Sequence, residues 1–130
     1  MSSSFRDLRV WQDAMKLAID IYRATAAFPK HELYCPESAD APVSVPSNIA
    51  ESKGHHSDKA FTNFLLHARG SLLELQTQIE IAQDLQYIAD EDAQRLLSEA
   101  TAVGRGLSGL INSLGKVFAN DQRPRTNDRV

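Results

Sequence analysis

Two adjacent histidines in the stretch SKGHHSD, His55 and His56, are the first residues in this chain that invite chemistry. Tetrahedral zinc needs four donors, and His31 and His67 do not stand at a companion spacing. A solvated turn between two helices is the better account. Cys35 is the sole cysteine. A thiolate nucleophile needs a base or a cation to activate it, and Cys35 is followed by Pro36 with no such group in sequence. Partial burial suits it better. GRGLSG, residues 104–109, has the glycines of a phosphate cradle, but it lies within a helical pattern and lacks the lysine. No glutamate has a histidine three residues on, which excludes the di-iron bundle motif. Arg69, Glu74, Gln78 and Glu80 punctuate the apolar run LHARGSLLELQTQIEIA, and Glu51, Arg69 and Glu74 are candidates for a structural polar network. No residue is assigned a catalytic, cofactor-binding or metal-binding role, and the chain reads as a non-enzyme.

These residues sit on segments whose periodicity is helical. The first helix is expected from Arg6 to Phe28 and carries two apolar seams. Leu8, Trp11, Met15, Ala18 and Tyr22 form one; Val10, Ala14, Leu17, Ile21, Ala24 and Phe28 form the other. One seam serves the intrachain core. The other either stays inside the bundle or faces a second subunit, so Trp11, Met15, Leu17, Ile21, Tyr22 and Phe28 are the core or oligomer candidates. A third helix is expected over Asp58–Ile88, capped by Ser57, with a seam from Phe61 through Leu65, Ala68, Leu72, Leu75 and Ile79 to Ala82, widened by Phe64 and Leu85. A fourth is expected over Glu91–Val117, with Asp90 as N-cap and Leu96, Ala100, Val103, Leu107, Leu110 and Leu114 on one face. Its glycines, Gly104, Gly106, Gly109 and Gly115, either permit close helix approach or are tolerated on an exposed face.

Between the first and third helices lies APVSVPSNIAES, with Pro42 and Pro46 four residues apart. A helix starting near Pro36 or Asp40 and stopping at Gly54 places Pro42 in its first turn, where amide donors have no intrahelical partner. Pro46 is then interior and leaves the Pro42 carbonyl without its usual donor. A kink is expected there, with Ser44, Ser47 or Asn48 satisfying freed groups. The expected architecture is an all-α, up-down antiparallel four-helix bundle with a proline-kinked second helix, residues 1–118, followed by a mobile tail over 119–130.

The net charge is −3, which argues against a generic nucleic-acid binder without excluding a local basic patch. No apolar run reaches the roughly 18 residues that cross a bilayer, and the N-terminus has no secretory h-region, so a cytoplasmic location is expected.

The segments FRDLRVWQDAMKLAIDIYRATAAFP, VSVPSNIAES and FTNFLLHARGSLLELQTQIEIAQDLQYI, in this order, resemble the bacterial four-helix-bundle proteins associated with 23S rRNA intervening sequences. That family includes accessory proteins of diversity-generating retroelements. The resemblance covers Phe5 to Lys116. It implies a homopentameric ring, a helical proline-bearing segment, no established enzymatic activity, and nucleic-acid or ribonucleoprotein partners. The family has a basic stretch like Gln-Ile-Arg-Arg-Ala before the proline motif, where this chain has Glu37, Ser38, Ala39, Asp40 and Ala41; Ser52 stands where glycine is usual.

Two functions from different classes follow. The first is a non-catalytic oligomeric scaffold or interaction protein, with a homo-oligomer and an unidentified protein as partners. The second is nucleic-acid binding, with Lys53 and Lys59 the leading contacts and Arg6, Arg9, Lys16, Arg23, Arg123, Arg125 and Arg129 in support. No cofactor and no membrane association is expected.

Overall fold

The computed structural model describes residues 4–26, 41–54 and 57–122, with side chains up to residue 114. Phe28, His31, Cys35, Pro36, Asp40, His55, His56 and the arginines of the tail lie outside the described residues. A 3-10 turn, Phe5–Asp7, leads into α1, Arg9–Ala24; α2 is Ala41–Lys53, α3 is Asp58–Asp84 and α4 is Asp90–Gln122. No strand occurs among the described residues.

The helices form an antiparallel bundle in which α1 packs on α2 and α4, and α3 packs on the same two. Cross-helix pairs fix the direction: Val10 meets Gly106 while Lys16 meets Glu99, so α1 and α4 run oppositely. Helices α1 and α3 are therefore diagonal, and their outer faces look away from one another. The core draws on all four helices, with Leu17, Ile49, Leu65, Leu75, Leu96 and Leu107 almost wholly buried. The seam expected on α3 is buried from Leu65 to Ala82, but Leu85 is exposed and does not widen it.

Several boundaries differ from the sequence expectation. Leu8 takes an extended conformation and separates the 3-10 turn from α1, so the first helix begins at Arg9, not Arg6. Its last residue is Ala24, with the Thr25 amide and hydroxyl both donating to the Ile21 carbonyl. Ser57 caps α3 as expected, its Oγ accepting from the Ala60 amide at 3.0 Å. Asp90 is the first residue of α4 and not its cap; its carboxylate accepts from Gln83 Nε2 at 3.2 Å across the α3–α4 turn. Helix α4 continues past the expected Val117 to Gln122, since no proline intervenes before Pro124.

Helix α3 stops four residues early because Gln86 adopts a left-handed conformation, φ 63°. The Tyr87 amide donates to the Ala82 carbonyl and the Gln86 amide to Gln83, a Schellman closure built without glycine. A side chain at this φ costs about 1 kcal/mol. Gln86→Gly is therefore expected to raise stability by up to about 1 kcal/mol in chemical denaturation; an unchanged midpoint would contradict the strain.

Pro46 lies inside α2, with helix on both sides. The Asn48 amide does not reach the Pro42 carbonyl that Pro46 deprives; Asn48 Nδ2 instead donates to the Ser44 carbonyl at 2.9 Å and its hydroxyl at 3.0 Å. Ser44 Oγ in turn lies 2.7 Å from Ser71 Oγ and joins α2 to α3. Ser52 is fully buried, and its hydroxyl donates to the Ile49 carbonyl at 2.6 Å, so a serine fits without an orphaned polar group.

Candidate interaction surfaces

The two seams of α1 differ in exposure, although Ala18 of the outer one is buried and Leu8 and Trp11 pack against the core. Val10, Ala14, Leu17 and Ile21 are buried among the other helices. Trp11 and Met15 are only half-buried, and Tyr22 is 47% exposed. With Ile19, Val43 and Ala50 they line an open groove of about 300 Å³ between α1 and α2, floored by Ala18 and Pro46. Phe5 closes the Trp11 end, its ring packing edge-on at 5.3 Å. Leu17 and Ile21, grouped with the oligomer candidates from sequence, belong to the core.

A second apolar surface, missed in sequence, runs along the outside of α3. Leu66, Leu73 and Ile81 are exposed, Leu73 by 60%. Gly70 sits between the first two, and nothing lies within 4 Å of where its Cβ would be. Its signal was present as a 66–70–73–77–81 spacing, overlooked beside the stronger core seam.

The polar network expected from Glu51, Arg69 and Glu74 is not assembled. Arg69 and Glu74 are exposed on α3 and make no ion pair among the described residues, because five positions along a helix turn them apart. Lys53 ends α2 and Lys59 stands exposed in the first turn of α3. Among the other basic candidates, Arg9 pairs with Asp13 at 3.3 Å, Arg6 lies over the Phe5 ring at 4.5 Å, and Arg23 is exposed.

Lys16 is engaged within the bundle. Its ammonium lies 2.9 Å from Asp20 Oδ2 and 3.2 Å from Glu99 Oε2, tying α1 to α4. The Lys16 hydrogen bond holds the Asp20 carboxyl below its ordinary range. Burial pushes the Glu99 carboxyl up, and the neighbouring Asp20 carboxylate adds to the shift. Glu99 Oε1 is buried with no hydrogen-bond partner among the described residues. Lys16 and Asp20 lie one helical turn apart, whereas Glu99 is distant in the chain and nothing local points to it.

Among the described residues, no group of three or more histidine, cysteine or acidic side chains is placed to hold a metal, and no helix is long and apolar enough to cross a membrane. The geometry offers two apolar surfaces. It defines an all-helical bundle with apolar faces left uncovered on two diagonal helices.

The chain belongs to the 23S rRNA-intervening sequence protein family, whose model matches residues 6–109. No curated protein matches it. Its fold is similar to that of a protein of unknown function from the S23 ribosomal protein family of Bacteroides thetaiotaomicron VPI-5482, with a TM-score of 0.69 at 20% identity. That match covers 78% of this chain and 97% of the other.

Proposed function

We propose that this protein is a non-catalytic interaction scaffold that works as a homo-oligomer in the bacterial cytoplasm. The observation that carries the reading is the α1 seam of Trp11, Met15 and Tyr22, which the bundle's own core covers only in part. An apolar patch of this kind on a soluble protein marks a contact surface. The pentameric ring is taken from the family resemblance.

Nucleic-acid binding is the competing reading. It rests on the family's link to 23S rRNA intervening sequences. Against it stand the net charge of −3, the Lys16 ammonium already held by two carboxylates, and the absence of the basic stretch before Pro42. Light scattering at micromolar concentration tests the scaffold, which requires a mass above that of one subunit; a monomer overturns it. Fluorescence anisotropy with labelled RNA and DNA across a salt series tests the competitor. Phosphate contacts release counterions, so real binding weakens linearly on log–log axes. The scaffold reading expects no such binding at low salt.

A further inference from the structure

The geometry points to a head-to-tail contact in which the α3 ridge of one copy seats in the α1–α2 groove of the next. This rests on the oligomeric reading above and specifies which faces meet. The groove and the ridge lie on diagonal helices, so one molecule cannot close them on each other. A contact between unlike faces leaves each copy with one groove and one ridge still open, and it propagates to a ring or a filament. A two-fold contact that pairs groove with groove leaves Leu73 and Ile81 exposed.

Shape and charge both favour the unlike pairing. The groove runs from Trp11 to Tyr22, roughly 16 Å along α1, and the ridge from Leu66 to Ile81 covers about 22 Å of α3. The groove lies between two helices, while the ridge is the face of a single helix with Gly70 open one turn after Leu66. Gly70 weakens its helix, and nothing in its own subunit requires it; a neighbouring backbone coming close would. The groove is bordered by bases. Arg23 follows Ile19 by one helical turn, Lys53 follows Ala50, and Arg6 lies over Phe5, against two acids, Asp7 and Glu51. The ridge carries three exposed acids, Glu74, Glu80 and Asp84, against one arginine, Arg69. Opposite signs on the two faces steer unlike faces together and like faces apart.

The test uses two full-length variants. Ile19→Glu places an acid in the groove and Leu73→Glu an acid on the ridge, both at exposed positions, so that the two altered faces repel one another, with circular dichroism and thermal melting confirming the fold. Each variant alone is expected to run as a single subunit by light scattering. Mixed in equal amounts, they are expected to form a one-to-one dimer and nothing larger, because one intact groove meets one intact ridge. A milder pair, Ile19→Ser and Leu73→Ser, is expected to weaken assembly at least tenfold and covers the case in which a charged variant misfolds. If the wild type assembles and the folded variants keep its mass, the contact lies elsewhere and this inference fails alone. If only the Ile19 variant falls to a monomer, the contact pairs groove with groove and the inference fails; two monomeric variants whose mixture stays monomeric overturn it as well. A monomeric wild type removes the oligomeric reading together with it.

Discussion

Gly106→Ala is expected to destabilise the bundle by up to about 2 kcal/mol, although alanine is the better helix former. A Cβ at Gly106 would stand 2.8 Å from Val10 Cγ2 and 3.0 Å from Val10 Cβ. Val10 is buried, and its β-branched side chain has few rotamers available in a helix. The clash is relieved only by moving α1 from α4, and overpacking of this kind costs about 1–3 kcal/mol. The helix-propensity gain of nearly 1 kcal/mol offsets part of that. Gly109→Ala, one turn further on, is the control. Nothing lies within 4 Å of its Cβ position, so the same substitution there is expected to stabilise by about 0.5–1 kcal/mol. Urea melts of the two variants should shift in opposite directions. Shifts of the same sign would show that α1 and α4 are not in close contact at Gly106.

Glu99→Gln is expected to raise stability at pH 7 by about 1 kcal/mol and to change how stability depends on pH. The present carboxylate has a buried oxygen without a partner, an arrangement that costs roughly 1–3 kcal/mol. A glutamine amide can donate to Asp20 while its carbonyl still accepts from Lys16. The sign of the pH effect follows from the direction of each shift. Glu99 titrates above its ordinary 4.5, so its contribution to stability is complete below that value and is lost as pH rises through the folded pKa. Asp20 titrates below its ordinary 3.8, so its contribution is present above that value and is lost as pH falls further. The Lys16 contribution is lost only above its ordinary 10.5. Together these place the cluster's greatest contribution near pH 4. The difference in melting temperature between Glu99→Gln and the wild type should therefore widen as pH rises from about 4.5 to 7. A difference that stays constant over that range would mean that Glu99 does not titrate abnormally.

The helices were legible because their apolar spacing repeats over many turns, and the core seam of α3 was read residue by residue. Their ends were less legible. The stop at Gln86 had no glycine to announce it, and Leu8 interrupts the first helix with a residue that otherwise favours helix. The two α1 seams could be seen in sequence, but which one was covered depended on how α2 and α4 packed. Of the α4 glycines with described surroundings, Gly106 marks a close approach and Gly109 faces open space; spacing alone could not separate them. Long-range pairs were beyond reach for a simpler reason. Nothing in the neighbourhood of Glu99 signals that it lies beside Lys16, 83 residues away. A bend at Pro46 is still the expected consequence of the hydrogen bond that proline removes.

The central claim is that the uncovered seam of α1 exists to be covered by another copy. Native mass spectrometry of the wild type over a dilution series addresses it most directly. One closed species at an integral multiple of the 14.4 kDa subunit is expected, five by family resemblance, persisting to low micromolar concentration. A lone 14.4 kDa species at every concentration would contradict it.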